Sequence, residues 1–173
     1  TVLVVTGNID EKIVVDIAKK SFEGFREGDP LGFKKSTYNS NGALTVLDKM
    51  ETNQTHLTLA FKNYSMKDLS RHSSSILSVI LGGGMTSRLF EQVREKRGLA
   101  YSVSSNSHFY SDCGVFYIDA GVAPENTEQT FEVIIEELNN LRKNLNSDEI
   151  SSSKELIKGR LMMRYEDSRA VAM

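Results

Sequence analysis

Hydrophobic residues recur along the chain with two different periods, and together these predict a mixed α and β structure. The segment Thr55 to Phe61 alternates strictly between apolar and polar residues, which is typical of a strand with one buried face. The run Val2 to Val5 is short and apolar throughout, so it predicts an internal strand covered on both faces. Three further strands are predicted at Leu44 to Met50, from Tyr101 onward, and at Gly114 to Ala120.

Apolar residues spaced three and four apart predict five helices among these strands. The residues predicted to begin them are Asp10, Ser65, Thr86 or Ser87, Asn126 and Asn146. The resulting order is β-α-β-β-α-α-β-β-α-α. We therefore expect an α+β fold: a two-layer sandwich in which a mixed, mostly antiparallel five-stranded sheet carries the helices on one face. Leu44 to Met50 is expected to pair with Thr55 to Phe61, and the apolar stripes Phe131 to Leu141 and Ile150 to Tyr165 are expected to cover the sheet.

Size and composition fit one soluble globular domain over residues 1–173, because 39% of the residues are hydrophobic and 25% are charged. The formal net charge of -2 favours neither nucleic acid nor an anionic membrane as a partner. No apolar run approaches the roughly 20 residues that span a bilayer. The single cysteine, Cys113, permits no internal disulfide, and we expect a cytoplasmic protein. The sequence begins at Thr1 in a strand pattern and stops at Met173 in a helical one, so we expect a piece of a longer chain.

Residues that usually carry catalytic chemistry are sparse. None of the three histidines, His56, His72 and His108, has another histidine four residues away, and the sequence lacks His-x-x-Glu-His. No Gly-x-Ser-x-Gly motif is present, and the glycine run Gly82 to Gly84 is not followed by the Lys-Ser/Thr of a phosphate-binding loop. We therefore expect each histidine to be structural or exposed, and no metal site in this chain.

One segment, Leu81 to Tyr101, combines three glycines, a short charged helix and the start of a strand. Its helix has Leu89, Phe90 and Val93 on one side, and Gly98 is in the position where a left-handed residue commonly ends a helix. The ordered motifs are Gly82 to Met85, Ser87 to Phe90, Arg94 to Tyr101, and Tyr110-Ser111-Asp112-x-Gly114.

These motifs resemble the second, non-zinc domain of a half-unit in the pitrilysin, insulin-degrading enzyme and mitochondrial processing peptidase family of inverted-zincin metallopeptidases. The resemblance extends more loosely from Val4 to Leu161. It implies the two-layer α+β fold described above and an origin in a two-domain or four-domain peptidase. It also implies that zinc and its ligands belong to a first domain that this chain lacks, with no cofactor in the chain itself.

The resemblance further implies roles for two residues. Tyr101 stabilises the oxyanion that forms during peptide hydrolysis, and Arg94 holds the adjacent substrate backbone; a phenol and a guanidinium fork are suitable donors for these tasks. The alternative is a solvated arginine and a packed tyrosine without function. Gly82, Gly83 and Gly84 are either a loose link between helices or, by the resemblance, a flexible substrate-binding element that faces the chamber.

Two functions from different classes follow from the resemblance. The first is a substrate-holding, non-zinc-binding domain of a zinc-dependent endopeptidase that hydrolyses peptides in an enclosed chamber, with a zinc-bearing domain or subunit and a peptide as partners. The second is a catalytically inactive homologous domain that acts as a scaffold or partner of an active peptidase subunit. The presence of both Arg94 and Tyr101 favours the first. A stand-alone ligand-binding α+β domain is a third possibility.

Overall fold

The computed structural model describes residues 2–26, 28–29, 31–37, 43–49 and 52–172. The chain divides into two compact units, one from residues 1–34 and 158–173 and the other from residues 35–157. The first unit contains α1 (Glu11–Ser21), residues 158–164 of α4 (Ser147–Arg164) and α5 (Ser168–Ala172). The second contains β1 (Thr55–Asn63), α2 (Arg71–Gly82), a π-helix (Phe90–Glu95), β2 (Ala100–Phe109), β3 (Gly114–Val122), a 3₁₀-helix (Pro124–Asn126), α3 (Thr127–Asn144) and residues 147–157 of α4.

The sheet of the second unit is antiparallel and has the strand order β1-β3-β2. Alternating residues of the central strand point to opposite faces: Phe116 and Ile118 are buried, whereas Tyr117 and Asp119 are only half-buried. On the polar face, the hydroxyl of Thr58 donates to Asp119 Oδ1 at 2.6 Å. The strands predicted from Tyr101 onward and at Gly114 to Ala120 are confirmed as β2 and β3. They form a hairpin whose turn is closed by Tyr110 N–H donating to the carbonyl of Cys113 at 2.8 Å.

The hydrophobic core lies between the other sheet face and the helices, as expected for a two-layer α+β fold. Leu81, Leu89, Val93 and Ile134 are all fully buried in it. They come from α2, the segment entering the π-helix, the π-helix itself and α3. The segment singled out from the sequence is therefore anchored to the core by its apolar side.

The predicted five-stranded sheet is wrong in the part of the chain that the structure describes, where the sheet has three strands. Val2 to Val5 lie outside any strand, and their exposed fractions range from 44% to 87%. Residues 44–49 also form no strand, so the predicted hairpin with β1 is absent there; Met50 lies outside the described residues. An apolar run becomes a strand only when a neighbouring strand takes its hydrogen bonds. β1 pairs with β3 on one side, and the described residues 44–49 do not pair with its other edge. The observed order is α-β-α-π-β-β-3₁₀-α-α-α.

The structure confirms some of the predicted helix starts and contradicts others. Asp10 caps α1 as expected, because its Oδ1 accepts from the N–H groups of Lys12 and Ile13 at 2.9 and 3.2 Å. The helix predicted from Ser65 begins only at Arg71. Ser87 caps nothing, since its hydroxyl donates to the carbonyl of Gly84 instead.

The apolar stripes of α3 and α4 differ in how deeply they are buried. Val133, Ile134 and Leu141 of α3 are buried, and Ile150 of α4 packs against the same core. Farther along α4, in the first unit, Leu161 is 47% exposed and Tyr165, just past the helix, is 63% exposed. Residues 31–37 are irregular and exposed, and Pro30 and residues 38–42 lie outside the described part. Thr1 and Met173 lie outside it as well.

Candidate functional site

The first two glycines of the segment allow close backbone packing. A Cβ on Gly82 would lie 2.7 Å from the carbonyl carbon of Ser104, and a Cβ on Gly83 would lie 2.5 Å from Val79 Cα. Neither glycine has a positive φ angle. The backbone conformation therefore does not require glycine here. The close approach of α2 to β2 requires it at Gly82, and the preceding turn of α2 at Val79 requires it at Gly83. The carbonyl of Gly84 accepts from both the backbone N–H and the hydroxyl of Ser87, at 3.1 and 2.6 Å.

The helix after this turn is a π-helix, which the sequence pattern did not indicate. Its wider turn is closed by Lys96 N–H donating to the carbonyl of Glu91, five residues back, at 2.9 Å. Gly98 ends the helix with φ +61 and donates its N–H to the carbonyl of Arg94 at 3.0 Å, which confirms the predicted left-handed stop. Leu99 N–H then donates to the carbonyl of Val93 at 2.9 Å. Single π turns within helices often occur at functional sites.

Tyr101 lies at an irregularity of β2 immediately after this stop. Ala100 pairs with Val122 and Ser102 pairs with Gly121, so Tyr101 is the extra residue of a β-bulge. Bulges redirect a side chain out of the regular alternation and are frequent beside active sites. The side chain of Tyr101 is 64% exposed, and no hydrogen bond to its hydroxyl is found among the described residues.

Arg94 is exposed on the π-helix. Its guanidinium carbon lies 4.9 Å from the centroid of the Phe90 ring, a cation–π contact. Within the described part of the chain, no hydrogen bond or ion pair of its side chain is found. The two predicted site residues thus flank one hydrogen-bonded turn, and both keep their donors available.

Arg88 is not among the predicted site residues, but its side chain forms an extensive set of hydrogen bonds. Its Nε and Nη2 donate to Oε1 and Oε2 of Glu149, both at 2.6 Å, and Nη2 also donates to the carbonyl of Asn144 at 2.8 Å. The hydrogen bonds to Glu149 raise the pKa of Arg88 above its ordinary range, and they lower the pKa of Glu149. The available signal was the Asn146-x-x-Glu149 capping box, whose carboxylate needs a cation if it is shielded from water.

No residue set suited to zinc was found in the described ranges. His56 and His72 are exposed, and His108 stacks on Tyr117 with Nε2 3.0 Å from the phenol oxygen. Among the described residues, no group of three or more His, Cys, Asp or Glu side chains could hold a metal ion. None of the described helices combines the length and apolar character needed to cross a bilayer.

Known proteins similar to this chain agree on one family. Residues 1–157 match the family described as the peptidase M16 inactive domain. The chain is 35% identical over 170 residues to a Bacillus subtilis protein described as an uncharacterized zinc protease, covering 98% of this chain and 41% of that protein. A Rickettsia felis protein of the same description is 34% identical over 165 residues, covering 95% of this chain and 39% of the relative.

A solved structure extends the similarity to the fold. The crystal structure of a protease from Helicobacter pylori matches with a TM-score of 0.82 at 25% identity, covering 96% of this chain and 42% of that one. The chain thus spans about two fifths of the length of the relatives it matches. The motifs around Arg94 and Tyr101, the α+β fold and the match over residues 1–157 all lead to the same conclusion: the chain belongs to the peptidase M16 family, as its inactive, C-terminal type of domain.

Proposed function

We propose that this chain is the substrate-holding domain of a zinc-dependent endopeptidase that cleaves peptides in an enclosed chamber. In this proposal zinc, its ligands and the general base belong to a paired domain or subunit of the same family. Two observations support it: the Bacillus and Rickettsia relatives are described as zinc proteases, and the matching family is described as an inactive domain. The role of this chain is then to bind and orient the peptide.

The observation that carries the proposal is the pair of uncommitted donors around the Gly98 turn. Tyr101 is held on a bulge at 64% exposure, and Arg94 is exposed on the adjoining π-helix. A phenol O–H can donate to a carbonyl oxygen as that oxygen becomes an oxyanion, and a guanidinium fork can bind a substrate carbonyl or carboxylate. Because both residues are attached to one hydrogen-bonded turn, the two donors are presented to the substrate together.

The glycine segment contributes to this proposal through its backbone. Gly82 allows the end of α2 to lie close to β2, from which Tyr101 projects. Direct binding of the substrate by Gly82, Gly83 and Gly84 stays a prediction.

The proposal is tested by Tyr101→Phe in the full-length protein. The ring is retained and only the donor is removed, so kcat should fall by about 10²–10³, equivalent to about 2.7–4 kcal/mol, without a change in melting temperature. Tyr110→Phe is the matched control, because Tyr110 is 56% exposed at the far end of β2. Steady-state kinetics on a peptide substrate and thermal melts are measured for both variants. A wild-type kcat in Tyr101→Phe would sink the catalytic role of this residue.

Arg94→Ala separates binding from turnover. If Arg94 holds the substrate backbone, KM rises while kcat changes less, and Arg94→Lys does not restore the wild-type KM because lysine lacks the planar fork. Arg142→Ala, at an exposed arginine near the end of α3, is the control.

One observation favours the second candidate function, an inactive scaffold that supports an active subunit. The cation–π contact of Arg94 with Phe90 gives this arginine a structural role that needs no substrate. In that case Arg94→Ala lowers the stability of the π-helix, and neither Arg94→Ala nor Tyr101→Phe changes the activity of the assembled peptidase.

A further inference from the structure

Arg88 and Glu149 connect two parts of the second unit that lie 61 residues apart in sequence. Arg88 directly follows the turn from Gly82 to Ser87, here called the glycine turn, and Glu149 lies in the first turn of α4. Their two hydrogen bonds are parallel and both measure 2.6 Å, the bidentate geometry that makes an arginine–carboxylate pair strong and directional. The two side chains are only 15% and 27% exposed, so solvent screens the pair less than it would at an open surface.

Each partner is held in place by further contacts. The guanidinium of Arg88 also donates to the carbonyl of Asn144, the last residue of α3, where the helix dipole favours a cation. Glu149 Oε2 accepts from Asn146 N–H at 3.3 Å, and Glu149 N–H donates to Asn146 Oδ1 at 2.8 Å, forming a capping box. Glu137 on α3, only 9% exposed, places another negative charge near Arg88.

Part of the glycine turn is separated from α4 by a cavity. The cavity has a volume of about 290 Å³, with Gly84, Thr86 and Ser87 on one side and Glu149 and Ser152 among the α4 residues on the other. The turn satisfies its own polar groups, because Ser87 bonds back to Gly84. Directly after this turn, the Arg88–Glu149 pair connects the segment to α4.

We propose that Arg88 and Glu149 are positioning residues whose ion pair fixes the start of the π-helix and so sets where Arg94 and Tyr101 meet the substrate. The inference rests on the proposed function of those two residues. The physical connection is continuous, since Arg94 is on the π-helix and Tyr101 follows the Gly98 stop that is bonded to it. A shift of about 1 Å in a substrate-orienting group can cost about 10²-fold in rate, so releasing the pair should reduce activity without removing any donor.

Glu149→Gln in the full-length protein tests the inference. Glutamine still completes the capping box with Asn146 but removes the charge that pairs with Arg88. We expect faster hydrogen exchange of the backbone amides in 83–98, a rise in KM, and a kcat/KM lowered by about 10–100-fold. The matched control is Glu91→Gln, which breaks the exposed 2.7 Å pair of Glu91 with Lys96 at the π-helix and should change none of these. Arg88→Lys is a second variant that keeps the charge and loses the fork, so it should show the same changes in smaller degree.

The measured quantities separate this inference from the proposed function. Wild-type exchange over 83–98 in both Glu149→Gln and Arg88→Lys overturns the connection between the pair and the π-helix. Faster exchange with wild-type KM and kcat overturns the positioning role and leaves the pair purely structural. The proposed function is judged independently from Tyr101→Phe measured beside them, because hydrogen exchange does not depend on turnover.

Discussion

Arg88 and Arg94 are two arginines six residues apart on one continuous segment, and the structure uses them in opposite ways. Arg88 makes three hydrogen bonds and its side chain is 15% exposed, whereas Arg94 is exposed and its guanidinium lies over the ring of Phe90. A charge shielded from water is costly unless it is paired, and pairing occupies the donors. The shielded arginine therefore fixes the segment, and the exposed arginine retains donors for a ligand.

The same contrast holds for the two ends of the segment. At its beginning, Gly82 lies against β2 and Arg88 is bonded to Glu149. At its end, Gly98 adopts a left-handed conformation and Tyr101 projects from a bulge. One end holds the segment to the fold and the other presents side chains, so variants at the two ends should affect different measured quantities.

The largest effect on stability is expected at Gly82. Gly82→Ala places a methyl group against the backbone of Ser104, which cannot move aside as a flexible side chain would, so we expect the free energy of unfolding to fall by about 3 kcal/mol. Gly159→Ala is the control, because a Cβ there meets nothing within 4 Å and alanine favours a helix interior by about 1 kcal/mol. Urea denaturation of both variants checks this. Equal stability of the two would mean that α2 does not pack as tightly on β2 as described.

Replacing each of the two arginines with alanine tests the same comparison, with smaller expected losses of stability. Arg88→Ala removes charge-assisted hydrogen bonds and leaves the shielded carboxylate of Glu149 without its partner, so we expect a loss of about 2 kcal/mol. Arg94→Ala removes one exposed cation–π contact, worth about 0.5–1 kcal/mol. The effects on KM should follow a different order from the effects on stability, because we expect the direct effect on KM for Arg94→Ala. A larger loss of stability in Arg94→Ala than in Arg88→Ala would reverse our assignment of the two roles.

The sequence predicted the parts of the fold that depend on local periodicity. Strict alternation identified β1, and the helical stripe identified α3, because each pattern reflects one buried face. Gly98 was identified as a helix stop because a left-handed residue without a Cβ is a local requirement. The error at Val2 to Val5 has the opposite cause, since a strand requires a partner that local sequence does not specify.

The candidate site was also predictable only in part. Arg94 and Tyr101 were chosen through the family resemblance, and the structure adds the bulge and the π turn that expose them. Arg88 lies in the recognised Ser87 to Phe90 motif, but its partner is 61 residues away and no periodicity connects them. The sequence leaves Gly82 as part of either a loose link or a flexible substrate-binding element, because a sequence does not reveal which backbone lies 2.7 Å from a missing Cβ.

The smallest expected effect is the pH dependence of stability that the Arg88–Glu149 pair produces. It tests only the beginning of the segment, the fixed end that is held to the fold. Hydrogen bonds from Arg88 hold the pKa of Glu149 below its ordinary value of 4.5. A carboxyl group whose pKa is lower in the folded than in the unfolded state stabilises the fold fully above the unfolded value, and this contribution is lost as the pH falls through the folded pKa. The pKa of Arg88 is raised above its ordinary value by the hydrogen bonds to Glu149, so its contribution is complete throughout the acidic and neutral pH range.

The difference in free energy of unfolding between the wild type and Glu149→Gln should therefore be constant, at about 1 kcal/mol, from neutral pH down to about pH 5. Below the ordinary pKa of 4.5 it should shrink towards zero, because protonated glutamate and glutamine then bond to Arg88 similarly. Urea denaturation at a series of pH values measures this difference, with Glu91→Gln as the control whose exposed pair contributes little at any pH. A difference that grows as the pH falls would have the wrong sign for a carboxylate stabilised by Arg88, and the fixed end of the segment would then have to be explained by packing alone.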